Sequence, residues 1–345
     1  MKAKTIKAIL RKRIDAWLNT IEDEAVRKLV KNRTIVTGGC IASMLLREPV
    51  NDFDVYFTDY ETTLAVAKYY VDRFKAAPNK GIPVSMFVCD GSPEDKYAWG
   101  DYPQEILDTR GRPDTEPEGH VRRVRIVAKS AGVAGELKEG EKAKDYQYFE
   151  ARPDNEAADY VRGVVQDPAD VEDLVEDIEA KLPTDEDDTK PKYRPVFLST
   201  NAITLSHKIQ IVLRFYGDAD EIHKNFDFAH CTSYWTSKDD NLVLRPHAME
   251  ALLTKELRYI GSKYPVCSLI RVRKFLQRGW TVNAGQIVKM AMQVSELDLT
   301  DVKVLQDQLT GVDVAYFCQL VERVKESDPE KVNSAYIIEI IDRMF

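Results

Sequence analysis

TIVTGGCIASMLLREPVNDFDVYF, residues 34–57, is the stretch whose reading decides the fold. A short apolar run, Ile35-Val36, ends at Gly38-Gly39. Ile41, Met44 and Leu45 follow at i, i+3 and i+4, and Arg47, Glu48 and Pro49 make a loop into Asp52-Phe53-Asp54-Val55. This spacing predicts strand, turn, helix, strand. Asp52 and Asp54 lie two apart on the second strand, so their carboxylates share one face while Phe53 and Val55 point into the core. Adjacent carboxylates repel unless a hard cation holds them, and Mg²⁺ is typically held by one or two carboxylates together with substrate phosphates. A backbone without Cβ at Gly38-Gly39, leading into a helix N-terminus, suits a phosphate chain.

TGGC, then 12 residues between Gly39 and Asp52, then DFDV resembles the signature of the polymerase-β-like nucleotidyltransferase superfamily, which includes CCA-adding enzymes and poly(A) polymerases. More loosely, residues 196–236 resemble nucleotidyltransferase-like proteins of large DNA viruses and phages. The resemblance implies an α+β fold: a mixed sheet with flanking helices, here followed by an all-helical C-terminal domain. It further implies two Mg²⁺ ions, an NTP such as ATP as substrate, and a third carboxylate on a later strand. Asp227, in NFDFAHC, matches that third position, with Asp90 and Glu150 as rivals. Gly38, Gly39 and Ser43 would bind the nucleotide, and Asp52, Asp54 and Asp227 would hold metal and carry catalysis. The expected reaction moves an NMP from an NTP to a hydroxyl, with an RNA or tRNA 3′ end as the acceptor. The alternatives are transfer to a protein or small molecule, or a non-catalytic RNA- or protein-binding member of the fold. Cys40, Ile41 and Ala42 stand where the CCA-adding subgroup carries Val-Arg-Asp, which argues against CCA addition itself.

At 345 residues the chain is long enough for more than one core. We divide it into N-terminal helices at 1–33, a catalytic domain at 34–240 and a helical domain at 241–345. Residues 5–31 read as two short helices, the second opened by Thr20 and Asp23, and 59–76 as a helix with Leu64, Ala67, Val71 and Phe74 on one face. Strands are expected at 84–90, 123–128 and 146–151, in PVFLSTNAITL and KIQIVLRF, and in FDFAHC, with a short helix in YGDADEIHKN. The region 91–194 reads as an insertion; its acidic part, 151–190, carries 14 acidic against 4 basic residues and suits a solvated excursion.

From Pro246 onward the pattern is helical, with apolar stripes that include Leu269, Val272 and Leu276, and later Val302, Leu305 and Leu309. Arg271, Lys274 and Arg278 lie at i, i+3 and i+7 on the opposite face, in a segment of 8 basic and 2 acidic residues at 241–280. Such a stripe suits the backbone of an acceptor nucleic acid, with Tyr259, Tyr264 and Trp280 available to stack on bases. Lys208 and Arg214 are further candidates for phosphate contact. His230 reads as a core histidine.

Five scattered cysteines without a C-x-x-C pair and five histidines without metal-site spacing argue against a zinc site or a disulfide framework. GELKEGEK at 135–142 has glutamate where a P-loop needs lysine. The net charge of -8 argues against a uniformly basic nucleic-acid binder. No apolar run is long enough to span a bilayer, so the expected location is the cytoplasm, that of the host for a viral protein.

Overall fold

A computed structural model describes residues 1–76, 84–89, 96–100, 122–128, 192–198 and 201–299, together with positions 304 and 308. The expectations at Asp90, Glu150, residues 146–151 and 151–190, and the stripes at 302–324 lie outside the described residues.

The quoted stretch folds as its spacing predicts: β1 (Thr34–Thr37), α3 (Gly39–Leu46) and β2 (Phe53–Phe57). They follow α1 (Ala3–Leu18) and α2 (Glu24–Arg33), and precede α4 (Tyr60–Ala76). Asp23 alone caps α2, its Oδ1 accepting from the amides of Ala25 and Val26. Thr20 instead donates its hydroxyl to the Trp17 carbonyl, closing α1, so the expected two-residue cap at 20 and 23 does not form.

A small antiparallel sheet joins β3 (Val84–Cys89), β4 (Lys96–Gly100) and β5 (Arg123–Ala128) in the order β4-β3-β5. The chain returns through β6 (Pro195–Leu198), β7 (Ala202–Leu205) and β8 (Ile209–Val212). The run read as one strand, PVFLSTNAITL, is thus a hairpin, because Asn201 breaks it between two apolar halves. After α5 (Ala219–His223) come β9 (Tyr234–Thr236) and β10 (Asn241–Val243).

The main sheet has the order β10-β9-β1-β2-β8-β7-β6, and only β2 and β8 pair in parallel. This is the mixed sheet with flanking helices expected from sequence. On one face Val36, Phe53, Val55, Phe57, Ile209, Ile211 and Trp235 are almost fully buried and join one core with Ile6, Leu10, Trp17, Val71 and Phe74 of the helices. α1 and α4 pack on that face and brace the sheet.

Two expectations need correcting. FDFAHC is no strand: Phe228 makes a single bridge to Tyr259, and a 3₁₀ turn follows at Ala229–Cys231. Its alternating phenylalanines serve two different clusters, Phe226 packing on Tyr56 and Phe228 on Tyr259 and Phe275. β10 also carries the sheet past residue 240, the boundary drawn from sequence, with Leu242 and Leu244 packed on the main core.

Helices then follow: α6 (Pro246–Thr254), α7 (Pro265–Gln277) and α8 (Ala284–Val294). They meet α3 through a second core of Ala42, Phe228, Leu252, Leu257, Tyr259, Trp280 and Met290. In α7 the expected apolar face is only partly inward: Val272 packs on the second core beside Phe275, and Cys267 and Ser268 are buried, whereas Leu269 and Leu276 are 39% and 46% exposed. Among the described residues no helix is long and apolar enough to cross a membrane.

Candidate active site

The face of the sheet away from the α1–α4 core forms the floor of a cleft of about 250 Å³. Gly38, Gly39, Ser43, Asp52 and Asp54 line it from the quoted stretch; Asp227 lines it from the turn before the 3₁₀ segment. Arg271, Lys274 and Arg278 of α7 form the opposite wall. Both glycines, Ser43, the three aspartates and the three α7 cations singled out from sequence therefore line one cleft.

Why glycine must stand at position 38 is visible in two ways. Its φ of +92° and ψ of -154° lie where a side chain is strained. A Cβ there would sit 2.6 Å from Asp54 Oδ2. The turn and the carboxylate strand are thus pressed together, with Thr37 paired to Asp54 in register and the Gly38 amide donating to the Cys231 carbonyl at 3.1 Å. Gly39 differs: a Cβ there would meet nothing within 4 Å, so the space above the first turn of α3 is open. No side chain caps this helix, and its first amides and dipole end are available to an anion.

Phe53 and Val55 are buried and Asp54 is half-buried, as alternation requires. The two aspartates make the floor electronegative. Burial pushes the Cys40 thiol well up, with Asp54 and Asp52 adding to it; Tyr56 is raised by burial and then by Asp54. Cys231 is likewise raised by burial, then by Asp227 and Asp54. Both thiols stay protonated and unreactive as nucleophiles.

Asp227 is 7% exposed and its Oδ2 accepts from Arg271 Nη1 at 2.7 Å. Among the described residues no three His, Cys, Asp or Glu side chains are grouped to hold a metal ion. The Asp227 carboxylate pins α7 to the wall. Arg271→Ala strands it: we expect a loss of about 2 kcal/mol in urea unfolding, largely recovered in Arg271→Ala/Asp227→Asn.

Arg278 pairs with Glu48, which Lys255 also approaches at 3.6 Å, so the loop after α3 is tied to the helical part. Arg271 and Arg278, read as part of an acceptor-binding stripe, thus have acidic partners within the protein. Tyr259 and Trp280 are 5% and 3% exposed and pack in the second core, Trp280 also bordering the cleft that Tyr264 lines. Lys208 donates to the Val50 carbonyl at 2.9 Å and so fixes the loop before β2, whereas Arg214 reaches the cleft.

Sequence reasoning missed Asn51, Asn201 and Gln210, which also line the cleft. Asn51 is adjacent to Asp52, and Gln210 is a polar interruption in the apolar run IQIV, a clue available beforehand.

Two histidines are buried close by. His230 is 2% exposed, its ring centroid 4.3 Å from that of Trp280 and 4.8 Å from that of Phe275, and its Nδ1 has no partner. His223 Nε2 meets Thr37 Oγ1 at 2.8 Å, bracing the end of β1. Burial lowers both to about 4. The unfolded chain takes up protons at these rings near pH 6.5, so stability is full above that value and falls as the pH drops towards 4. Thermal midpoints measured across this interval should decline, and less steeply in His230→Phe.

A family model described as "Gad2: Gabija anti-defense 2 family protein" matches residues 8–255. The chain belongs to this family. The match takes in Gly38, Gly39, Asp52, Asp54 and Asp227 and stops before α7. A relative named "Gabija anti-defense 2", from Bacillus phage SPbetaL7, is 24% identical over 123 residues, 35% of this chain and 31% of that protein. The chain thus spans about a third of the length of the curated relative it matches. No solved structure matches.

Proposed function

We propose that the cleft catalyses Mg²⁺-dependent transfer of a nucleoside monophosphate from an NTP to a hydroxyl, within a protein that counters the defence named in its family's description. The observation that carries this reading is the contact between the Gly38 turn and the Asp54 carboxylate. It brings the open space over Gly39 and the carboxylates of Asp52 and Asp54 onto the same cleft, which supports the reading. The carboxylates of Asp52 and Asp54 fit Mg²⁺, which supplies charge neutralisation and polarisation at the triphosphate when bound.

The chain's own groups then have distinct tasks. The first amides of α3 orient the phosphate chain, and the Ser43 hydroxyl, one turn on, is placed to bond it. Lys274, on the opposite wall, supplies positive charge to the leaving pyrophosphate. Arg214, beside the rings of Phe215 and Tyr264 at 6.0 Å each, offers a flat surface for a nucleobase.

The RNA or tRNA 3′ end expected as acceptor rested on the α7 cations, and the ion pairs of Arg271 and Arg278 weaken that support. The second acceptor class is a hydroxyl on a protein, which the same cleft chemistry would serve. The acceptor is distinguished by incubating the protein with α-phosphate-labelled NTPs, Mg²⁺ and an extract of cells carrying the countered defence. Label removed by protease identifies a protein acceptor, and label removed by ribonuclease an RNA; label in neither fraction overturns both acceptors.

A further inference from the structure

We propose that Gln210 supplies the third protein ligand of the cleft, completing with Asp52 and Asp54 a site for a single divalent cation. This rests on the metal-dependent reading above and deepens it.

β2 and β8 run in parallel, with Asp54 in register with Gln210. Register partners on neighbouring strands present their side chains to the same face, with the strands about 4.8 Å apart. Both residues line the cleft. Ile209 and Ile211, on either side of Gln210, are fully buried in the opposite core, so the strand is anchored and the amide is aimed at the floor.

Gln210 is 8% exposed, and its amide keeps access to the open space of the cleft. Its nearest charged neighbour on the sheet is a carboxylate of the acidic pair, and an amide oxygen is a hard donor of the kind that ligates Mg²⁺ and Ca²⁺. The rival, Asp227, has its Oδ2 engaged by Arg271.

The charge balance follows. Asp52 and Asp54 carry two negative charges and Gln210 none, so one dication neutralises the protein ligands. A second would need its compensation from the nucleotide's own phosphates. An amide also cannot take up a proton, so no ligand besides the two aspartates can serve as a base for the acceptor hydroxyl.

The test is direct titration of the full chain with Mn²⁺ in the absence of nucleotide, reading the free ion by electron paramagnetic resonance. We expect one Mn²⁺ per chain, binding lost in Asp54→Ala, about tenfold weaker in Gln210→Ala and about tenfold tighter in Gln210→Glu, which restores a third charge. Asp227→Asn should bind as the unaltered chain does. The gain in Gln210→Glu cannot come from misfolding. Binding that depends on Asp54 but is indifferent to both Gln210 variants, or is lost in Asp227→Asn, overturns the proposal and leaves the metal reading intact. An unaltered chain that takes up no Mn²⁺ overturns both.

Discussion

Asp54→Ala is expected to lower the rate of nucleotidyl transfer by on the order of 10³-fold, equivalent to about 4 kcal/mol of transition-state stabilisation. The carboxylate stands at the centre of the proposed site: it is pressed against the Gly38 turn, lies in register with Gln210, and acts on Cys40, Tyr56 and Cys231. Removing it deletes a cation ligand and leaves the core face of β2 untouched, since Phe53, Val55 and Phe57 point the other way. The variant should therefore fold normally and unfold at a nearly unchanged denaturant concentration. Steady-state transfer rates paired with urea midpoints check this. A rate loss accompanied by unfolding would instead make Asp54 a structural residue.

Gly38→Ala and Gly39→Ala should part company, although the residues are neighbours. At Gly38 the added methyl meets Asp54 Oδ2 and the backbone is in a region strained for any side chain. We expect a loss of about 1–3 kcal/mol of stability, and transfer reduced as far as in Asp54→Ala because the carboxylate must move. At Gly39 the methyl enters open space and replaces a helical glycine by alanine, which should stabilise the fold by about 0.5–1 kcal/mol. If phosphates occupy that space, nucleotide affinity falls all the same. A variant that is more stable and binds ATP less tightly is an outcome that a purely structural role for Gly39 does not produce. Thermal unfolding and equilibrium ATP binding on both variants separate the two roles.

Residues 34–57 were legible because their determinants are local. Glycine conformation, a 3.6-residue apolar repeat and a two-residue alternation all act within a few positions of one another, and the carboxylates, turn and helix emerged where the spacing puts them. Asp227 illustrates the limit of the same reasoning. Phe-Asp-Phe reads as an alternating strand, but the two rings are claimed by different cores, which only the tertiary arrangement reveals. Gln210 needed the register of a parallel pair formed by strands more than 150 residues apart in sequence. The α7 helix shows a third case: its cations were found, but their partners Asp227 and Glu48 come from distant segments, and Leu269 and Leu276 turned out exposed. Periodicity marks two faces of a helix and does not say how much of each is inward.

The central claim is that this cleft transfers the α-phosphate portion of a nucleotide. The most direct measurement compares the purified chain and Asp54→Ala, each incubated with Mg²⁺, cell extract and either α- or γ-phosphate-labelled NTP. The account predicts macromolecular label from the α-position only, release of pyrophosphate in equal amount, and neither in Asp54→Ala. Label arriving from the γ-position, or α-label that persists in Asp54→Ala, would contradict it.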